Sequence, residues 1–237
     1  KSKIFYAQQK TDFSYINFNN KYSNSIKKIL KFKKIKSKLV TINKNNYSFL
    51  FQKIKNKYFK SGGNTENLAF AYQIAKNFKV KDKIIIKAIN KFRGLPHRQE
   101  TIISNKRLIC INDSKATSFD ASLQSLLNYD KIYWIVGGLP KYKDNFKLKK
   151  IKNKVIKAYI IGKNISFFKK KIKNNIQYKI SRNIKNAIND IYRDLKVSEK
   201  IQATILLSPA AASFDQFDHF EDRGNYFKNL AIKKFKW

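Results

Sequence analysis

The sequence predicts an α/β protein whose second half is built on a mostly parallel sheet, covered on both faces. Three observations carry this reading. Continuous apolar runs occur at residues 108–112, 132–136, 155–161 and 203–207, the pattern of strands buried on both sides. Segments 119–127 and 184–195 carry helical patterning between them, so strands and helices alternate. The runs are closed by turn signals or unusual polar strings, namely Asp113-Ser114, Gly137-Gly138, Gly162 and Ser208-Pro209. A last helix is expected over residues 217–234.

The first part of the chain reads as mixed α and β. Residues 13–18 and 39–42 are expected strands, and residues 47–51 a third. Ser61-Gly62-Gly63 is a break. Asn64 is placed to cap a helix reaching Phe78, with Leu68, Ala71, Tyr72 and Ala75 on one face. Residues 80–92 read as a second helix, which Gly94-Leu95-Pro96 ends. That string is the expected boundary between two domains, residues 1–93 and 94–237.

Composition excludes several classes. Hydrophobic residues make up 43% of the chain and aromatics 14%, enough for a packed core. A single cysteine, Cys110, rules out an internal disulfide framework and a multi-cysteine zinc site. Its apolar run, Leu108-Ile109-Cys110-Ile111, marks a buried structural thiol rather than a nucleophile. No apolar stretch approaches the roughly 20 residues that span a bilayer, so no membrane insertion is expected. The opening Lys1-Ser2-Lys3-Ile4-Phe5-Tyr6 has no signal-peptide core, and the chain contains no methionine. The expectation is therefore a rear portion of a longer polypeptide.

The net charge is +37, which raises nucleic-acid binding as a reading. Against it, the lysines are spread along the chain and recur with Asn and Ile, as AT-rich coding would produce. No zinc finger or aromatic RNA-stacking signature accompanies them. Nucleic acid is not the expected partner, although the surplus can help to attract anionic nucleotides.

Ligands of open α/β sheets sit beyond the carboxyl ends of the strands, and the unusual polar strings of this chain lie there. Asp113-Ser114-Lys115-Ala116-Thr117 places an acid, a base and two hydroxyls at a strand-to-helix turn. A helix N-terminus there offers N–H groups to an anion. Lys115 can neutralise a phosphate or a developing acyl phosphate. Asp113 can hold that lysine or accept from a ribose hydroxyl. A capped helix with a surface salt bridge fits the same residues. Gly137-Gly138 permits close backbone approach or a plain tight turn, and Lys141 adds a cation able to meet a carboxylate. In residues 208–213, Ser-Pro-Ala-Ala-Ala-Ser, small side chains let backbone amides approach a ligand and Ser213 supplies a hydroxyl. Phe217 and Phe220 are spaced for core packing on a helix. Arg98, in the joining string, can reach a nucleotide. His97 is a hinge hydrogen-bonder or a catalyst, and His219 beside Asp218 reads as a surface residue. The two histidines form no metal cluster, and no Gly-x-Ser-x-Gly nucleophile elbow is present.

Taken in order, these strings resemble the Mur ligase family, in its D-glutamate-adding branch. They are Gly94-Leu95-Pro96-His97-Arg98-Gln99-Glu100, Asn112-Asp113-Ser114-Lys115-Ala116-Thr117, Gly137-Gly138, residues 206–217, and Phe220-Glu221-Asp222-Arg223-Gly224. The resemblance implies a Rossmann-like C-terminal domain for residues 94–237. It makes residues 1–93 the last part of an α/β ATP-binding central domain. It implies ATP and Mg2+, the substrates UDP-N-acetylmuramoyl-L-alanine and D-glutamate, an acyl-phosphate intermediate, and a role in peptidoglycan precursor synthesis in the bacterial cytoplasm. Asn64 and Asn67 match adenine-side asparagines, while Gly63 stands where the family usually carries His. Arg98 and Asp113 match nucleotide-contacting positions, and Lys115 a lysine near the reacting phosphate. Thr117, Lys141, Ser213, Phe214 and Phe220 match positions that hold D-glutamate or the product. Leu139-Pro140 alters the family's Gly-rich loop before Lys141, and Ala211 stands where relatives often carry Cys. Lys1 resembles the family's carbamylated lysine, whose carbamate helps to hold Mg2+.

The family's N-terminal UDP-binding domain and its phosphate-binding loop are not represented: no Gly-x-x-x-x-Gly-Lys-Ser/Thr string occurs. This portion is therefore expected to be inactive alone. Two alternatives stay open. One is a sibling or folylpolyglutamate-synthase-like ligase with another acceptor; the other is a basic nucleotide- or nucleic-acid-binding module.

Overall fold

The computed structural model describes residues 2–32, 36–60, 63–141, 144–197 and 202–235. The chain divides into two compact units, Lys1–Arg93 and Gly94–Trp237.

The first unit contains a parallel strand pair, β1 (Phe13–Asn17) and β2 (Lys38–Ile42), paired from Phe13↔Lys38 to Asn17↔Ile42. Helix α1 (Ser23–Phe32) lies between them in sequence. Helices α2 (Ser48–Lys53), α3 (Gly63–Asn77) and α4 (Asp82–Lys91) follow. They share a core of Leu50, Ile54, Leu68, Tyr72, Ile85 and Ile89. The strand expected at 47–51 is absent, because Asn43 starts a helical turn there. Its side chain accepts from the Asn45 N–H, opening a short 3-10 turn that runs into α2. Leu50 and Ile54, about one helical turn apart, then face the same core. Helix α3 starts at Gly63, so Asn64 lies in its first turn instead of capping it. Asn64 Nδ2 donates to the Tyr58 carbonyl at 2.9 Å. The buried stripe of α3 is Leu68, Ala69 and Tyr72, and Ala71 is exposed.

The second unit runs β3 (Glu100–Ser104), β4 (Leu108–Asn112), α5 (Phe119–Asn128), β5 (Ile132–Gly137), β6 (Val155–Ile161), α6 (Ile165–Ile172), β7 (Tyr178–Arg182), α7 (Ile184–Val197), β8 (Ala203–Leu207) and α8 (Phe220–Lys234). Its sheet has the order β3-β4-β8-β5-β6-β7, with only β3 antiparallel. The period-two alternation of the strands divides the core. Trp134, Val136, Ala158, Ile160 and Leu206 face α5 and α6 through Phe119, Leu126, Phe168 and Ile172. Tyr133, Ile135, Tyr159, Ile161 and Ile205 face α7 and α8 through Ile188, Ile191, Phe227 and Ala231. This is the α/β fold expected, a mostly parallel sheet with helices on both faces.

Strands β3 and β7 and helix α6 come in addition. Helix α8 begins three residues later than expected. His219 is its N-cap, and a capping box joins it to Asp222. Among the described residues no helix is long and apolar enough to cross a membrane.

Candidate functional site at the strand ends

Strand β8 is inserted between β4 and β5, so the chain switches direction across the sheet at this point. Asn112, Leu207 and Ile135 align across the three strands. Their following loops therefore leave the sheet side by side, where such folds place ligands. Two reciprocal hydrogen bonds of 2.9 Å between Leu139 and Ala212 join the β5 and β8 loops. Gly138 makes that approach possible. Its φ is +133°, and a Cβ there would sit 2.4 Å from the Ala212 carbonyl oxygen.

Arg223, on the first turn of α8, ties the β4 and β8 loops together. It is 1% exposed. Its Nε donates to Ser114 Oγ (2.9 Å), Nη2 to the Ser114 carbonyl (2.8 Å) and Nη1 to the Ala211 carbonyl (3.0 Å). Ser114 Oγ passes its own proton to the Phe220 carbonyl at 2.7 Å. Burial lowers the Arg223 pKa to about 10, with Asp215 pulling the other way, so the guanidinium stays charged at neutral pH. Among the described residues no carboxylate forms an ion pair with it. A fixed cation beneath three strand ends favours an anion above them.

The carboxylate of Asp113 points into the protein. Oδ2 accepts from Ser125 Oγ at 2.5 Å and from Ser208 Oγ at 2.8 Å, and Oδ1 accepts from the Gln99 N–H at 3.2 Å. The hold on Lys115 considered from sequence is thus replaced by serines on α5 and the β8 loop. Burial pushes the Asp113 carboxyl up to about 6; these hydrogen bonds and the charge of Arg98 offset this only in part. Between the ordinary carboxylate value and about 6 the folded chain keeps a proton that the unfolded chain has released. Stability therefore falls as pH rises through that window and is larger on its acid side. The shift is worth roughly 3 kcal/mol. In Asp113→Asn this slope should vanish. Urea unfolding of both proteins between about pH 4 and pH 7 should show the parent losing stability relative to the variant. Parallel curves would show that Asp113 titrates normally.

Thr117, Ala212, Ser213, Phe214, His219, Phe220 and Glu221 border a cleft of about 630 Å³. The β4 loop, the β8 loop and the start of α8 each contribute to it. Phe214 is 68% exposed on this rim, an apolar surface without a fold-level use. Lys115 Nζ lies over the Phe220 ring, 3.7 Å from its centroid. The N–H of Phe119, at the start of α5, donates to Asp144 Oδ2 at 2.8 Å. This end of the helix is thus already served in part by the chain's own carboxylate.

Of the residues singled out from sequence, the structure brings Thr117, Ser213, Phe214 and Phe220 to one opening, with Lys115 against it. Lys141 is exposed beyond Pro140 and does not border the cleft. Arg98 is exposed in the loop before β3. Asn64 and Asn67 lie on α3 of the first unit, with Asn67 exposed. Lys1 lies outside the described residues. His97 is buried against Asn112, whose amide nitrogen is 2.9 Å from His97 Nδ1, and its ring meets Phe220 edge-on.

No family model matches the chain. Its curated relatives are closer. A UDP-N-acetylmuramoylalanine--D-glutamate ligase of Rickettsia felis is 35% identical over 245 residues, covering 98% of this chain and 55% of the relative. One from Rickettsia prowazekii is 35% identical over 251 residues, covering 100% and 56%. The chain belongs to the Mur ligase family. It spans about half the length of the curated relatives it matches. Solved structures share the Mur ligase fold at low identity. MurF from Acinetobacter baumannii superposes with a TM-score of 0.61 at 12% identity, over 97% of this chain and 55% of that one. The bifunctional folylpolyglutamate synthase/dihydrofolate synthase of Yersinia pestis gives 0.55 at 12% identity, over 87% and 50%.

Sequence reasoning gave no role to Arg223, Ser125 or Asp144 in this Mur ligase chain. For Ser125 a signal existed. With Ser122 it places two hydroxyls, three residues apart, on the buried face of α5, where an apolar stripe is the norm. Arg223 stands in the string Phe220-Glu221-Asp222-Arg223-Gly224 that carries the resemblance, but as one of 52 Lys and Arg residues it shows no sign of being buried.

Proposed function

We propose that this chain carries the acceptor side of the ATP-dependent ligase that joins D-glutamate to UDP-N-acetylmuramoyl-L-alanine in peptidoglycan precursor synthesis, with ADP and phosphate as the other products. The observation that carries this is the cleft. Residues from three separate stretches, which the family resemblance assigns to D-glutamate, border one opening, in a chain 35% identical to relatives named for that reaction. On this reading residues 94–237 are the amino-acid-binding domain and residues 1–93 belong to the ATP-binding domain. Asn64, Asn67, Arg98 and Asp113 serve the nucleotide, and the setting is the bacterial cytoplasm.

The residues fit a nucleotide on chemical grounds. Arg98 is an exposed guanidinium suited to phosphate oxygens. Asp113 Oδ1 accepts one long hydrogen bond and retains a lone pair for a hydroxyl. ATP supplies the phosphoryl group that activates the carboxylate. Lys115 neutralises charge as the acyl phosphate is attacked, a role in which a preplaced cation is effective. Thr117, Ser213 and Phe220 orient the incoming amine, and Lys141 assists with a carboxylate of the acceptor. Among the described residues no group of three or more His, Cys, Asp or Glu could hold a metal. Mg2+ would be held by the nucleotide with Lys1, as its carbamate, the residue of this chain that would help, and it would supply charge neutralisation at the phosphates.

Phosphate release by the protein as encoded in full, with UDP-N-acetylmuramoyl-L-alanine, ATP and a panel of amino acids, tests this. D-Glutamate should exceed every other acceptor in kcat/KM by at least about a hundredfold, since polar recognition discriminates strongly. A preference for another amino acid or for a folate acceptor would overturn the assignment.

A further inference from the structure

We infer that the groove between β7 and α7 is a second anion site, built for a ligand carrying two or more phosphate groups. The groove encloses about 420 Å³ and shares no residue with the cleft. Lys179 and Arg182 from β7 and Asn186, Asn189, Asp190 and Arg193 from α7 line it. Its donors are an ammonium, two guanidinium groups and two amides, a set that matches phosphate oxygens at several points.

One of the cations, Lys179, is held by a close ion pair. Asp190 is 7% exposed and accepts from the buried Ser181 Oγ at 2.8 Å. Its other oxygen holds Lys179 Nζ at 2.8 Å and lies 3.6 Å from Arg193 Nη1. One carboxylate thus organises two cations and neutralises one. Arg182 adds a third, with no ion pair among the described residues. The groove keeps a net charge of two positives, arranged before any ligand arrives.

Arg182 also carries backbone strain. Its φ is +68°, a left-handed conformation that favours glycine. The surrounding structure enforces it: the Arg182 carbonyl accepts from the Gly162 N–H at 2.9 Å and from Gln216 Nε2 at 3.0 Å. The first of those donors follows β6, so the strained residue sits at the carboxyl ends of the strands, where α/β folds place ligands.

The experiment is calorimetric titration of the chain with inorganic tripolyphosphate at about 150 mM salt, where diffuse attraction is screened. The groove variant is Arg182→Gly with Arg193→Gln. Glycine suits the left-handed backbone and Arg193 is exposed, so the fold should survive. Arg193→Gln alone is the milder second variant. A control, Lys149→Gln with Lys150→Gln, removes the same charge from an exposed turn. The parent should show saturable binding that includes a groove component, weakened at least about tenfold in the groove variant and by less than about twofold in the control. Equal weakening in both, an unchanged groove variant, or no saturable site would overturn the proposal. Displacement by a single-stranded oligonucleotide would assign the phosphates to a nucleic-acid backbone; failure to displace would assign them to a free oligophosphate. Acceptor specificity plays no part in this test, so it stands or falls apart from the ligase assignment.

Discussion

In the protein as encoded in full, replacing Lys115 with alanine is expected to lower kcat by about 100- to 1,000-fold while leaving the fold intact. The first part follows from the role assigned to the ammonium. A single preplaced group that stabilises developing charge is worth about that factor when removed. The second part follows from its surroundings. Lys115 is half-buried, and its side chain packs over the Phe220 ring, a contact worth about 0.5–1 kcal/mol. Steady-state phosphate release and a thermal unfolding curve, measured on the same preparation, separate the two. Turnover near the parent's would remove Lys115 from the chemistry. A collapse of the melting temperature would make it a structural residue instead.

For Arg223 the order of effects reverses. Arg223→Ala should lower the unfolding free energy by about 3–5 kcal/mol, a large share of the 5–15 kcal/mol typical of a domain. The variant strands the Ser114 and Ala211 carbonyls, removes a donor to Ser114 Oγ, and opens a cavity the size of a guanidinium. The β4 and β8 loops lose their common tie. Urea unfolding at neutral pH measures the loss. Arg223→Lys, which keeps the charge without the planar fork, should fall between parent and alanine. A loss below about 1 kcal/mol in Arg223→Ala would show that the Leu139–Ala212 pairing holds the loops unaided.

What could be read from sequence follows from the physics of each element. Strands β4, β6 and β8 fall where expected because each is a largely apolar run between turn signals, and β4 and β8 are buried on both faces. Helix α6, Ile165–Ile172, is hard to read because three consecutive lysines precede its buried Ile172 and the string ISFFKKKI resembles a solvated loop. Strand β7 was missed for a related reason: it lies at the sheet edge, is half-buried, and carries Lys179 and Arg182. Edge strands are often charged in this way. At 47–51 an aromatic, apolar string that reads as β is helical because Asn43 opens a 3-10 turn that continues into α2. The strings around the cleft were legible because glycine, proline and small residues at strand ends have few structural uses. Their partners were not. The serines that hold Asp113 and the arginine beneath the loops come from up to 109 residues away, and only the folded chain brings them there.

The lone cysteine has a use of a different kind. Cys110 lies on β4, in the interior of the sheet, with no exposed surface, and burial pushes its thiol well above the ordinary range. A thiolate is what alkylating reagents attack, so the native chain shields its single reactive sulfur twice over, by access and by protonation. Modification then requires that the strands around it part. Its labelling rate counts those openings, one molecule at a time, and the protein carries its own stopwatch for how often its central sheet comes undone.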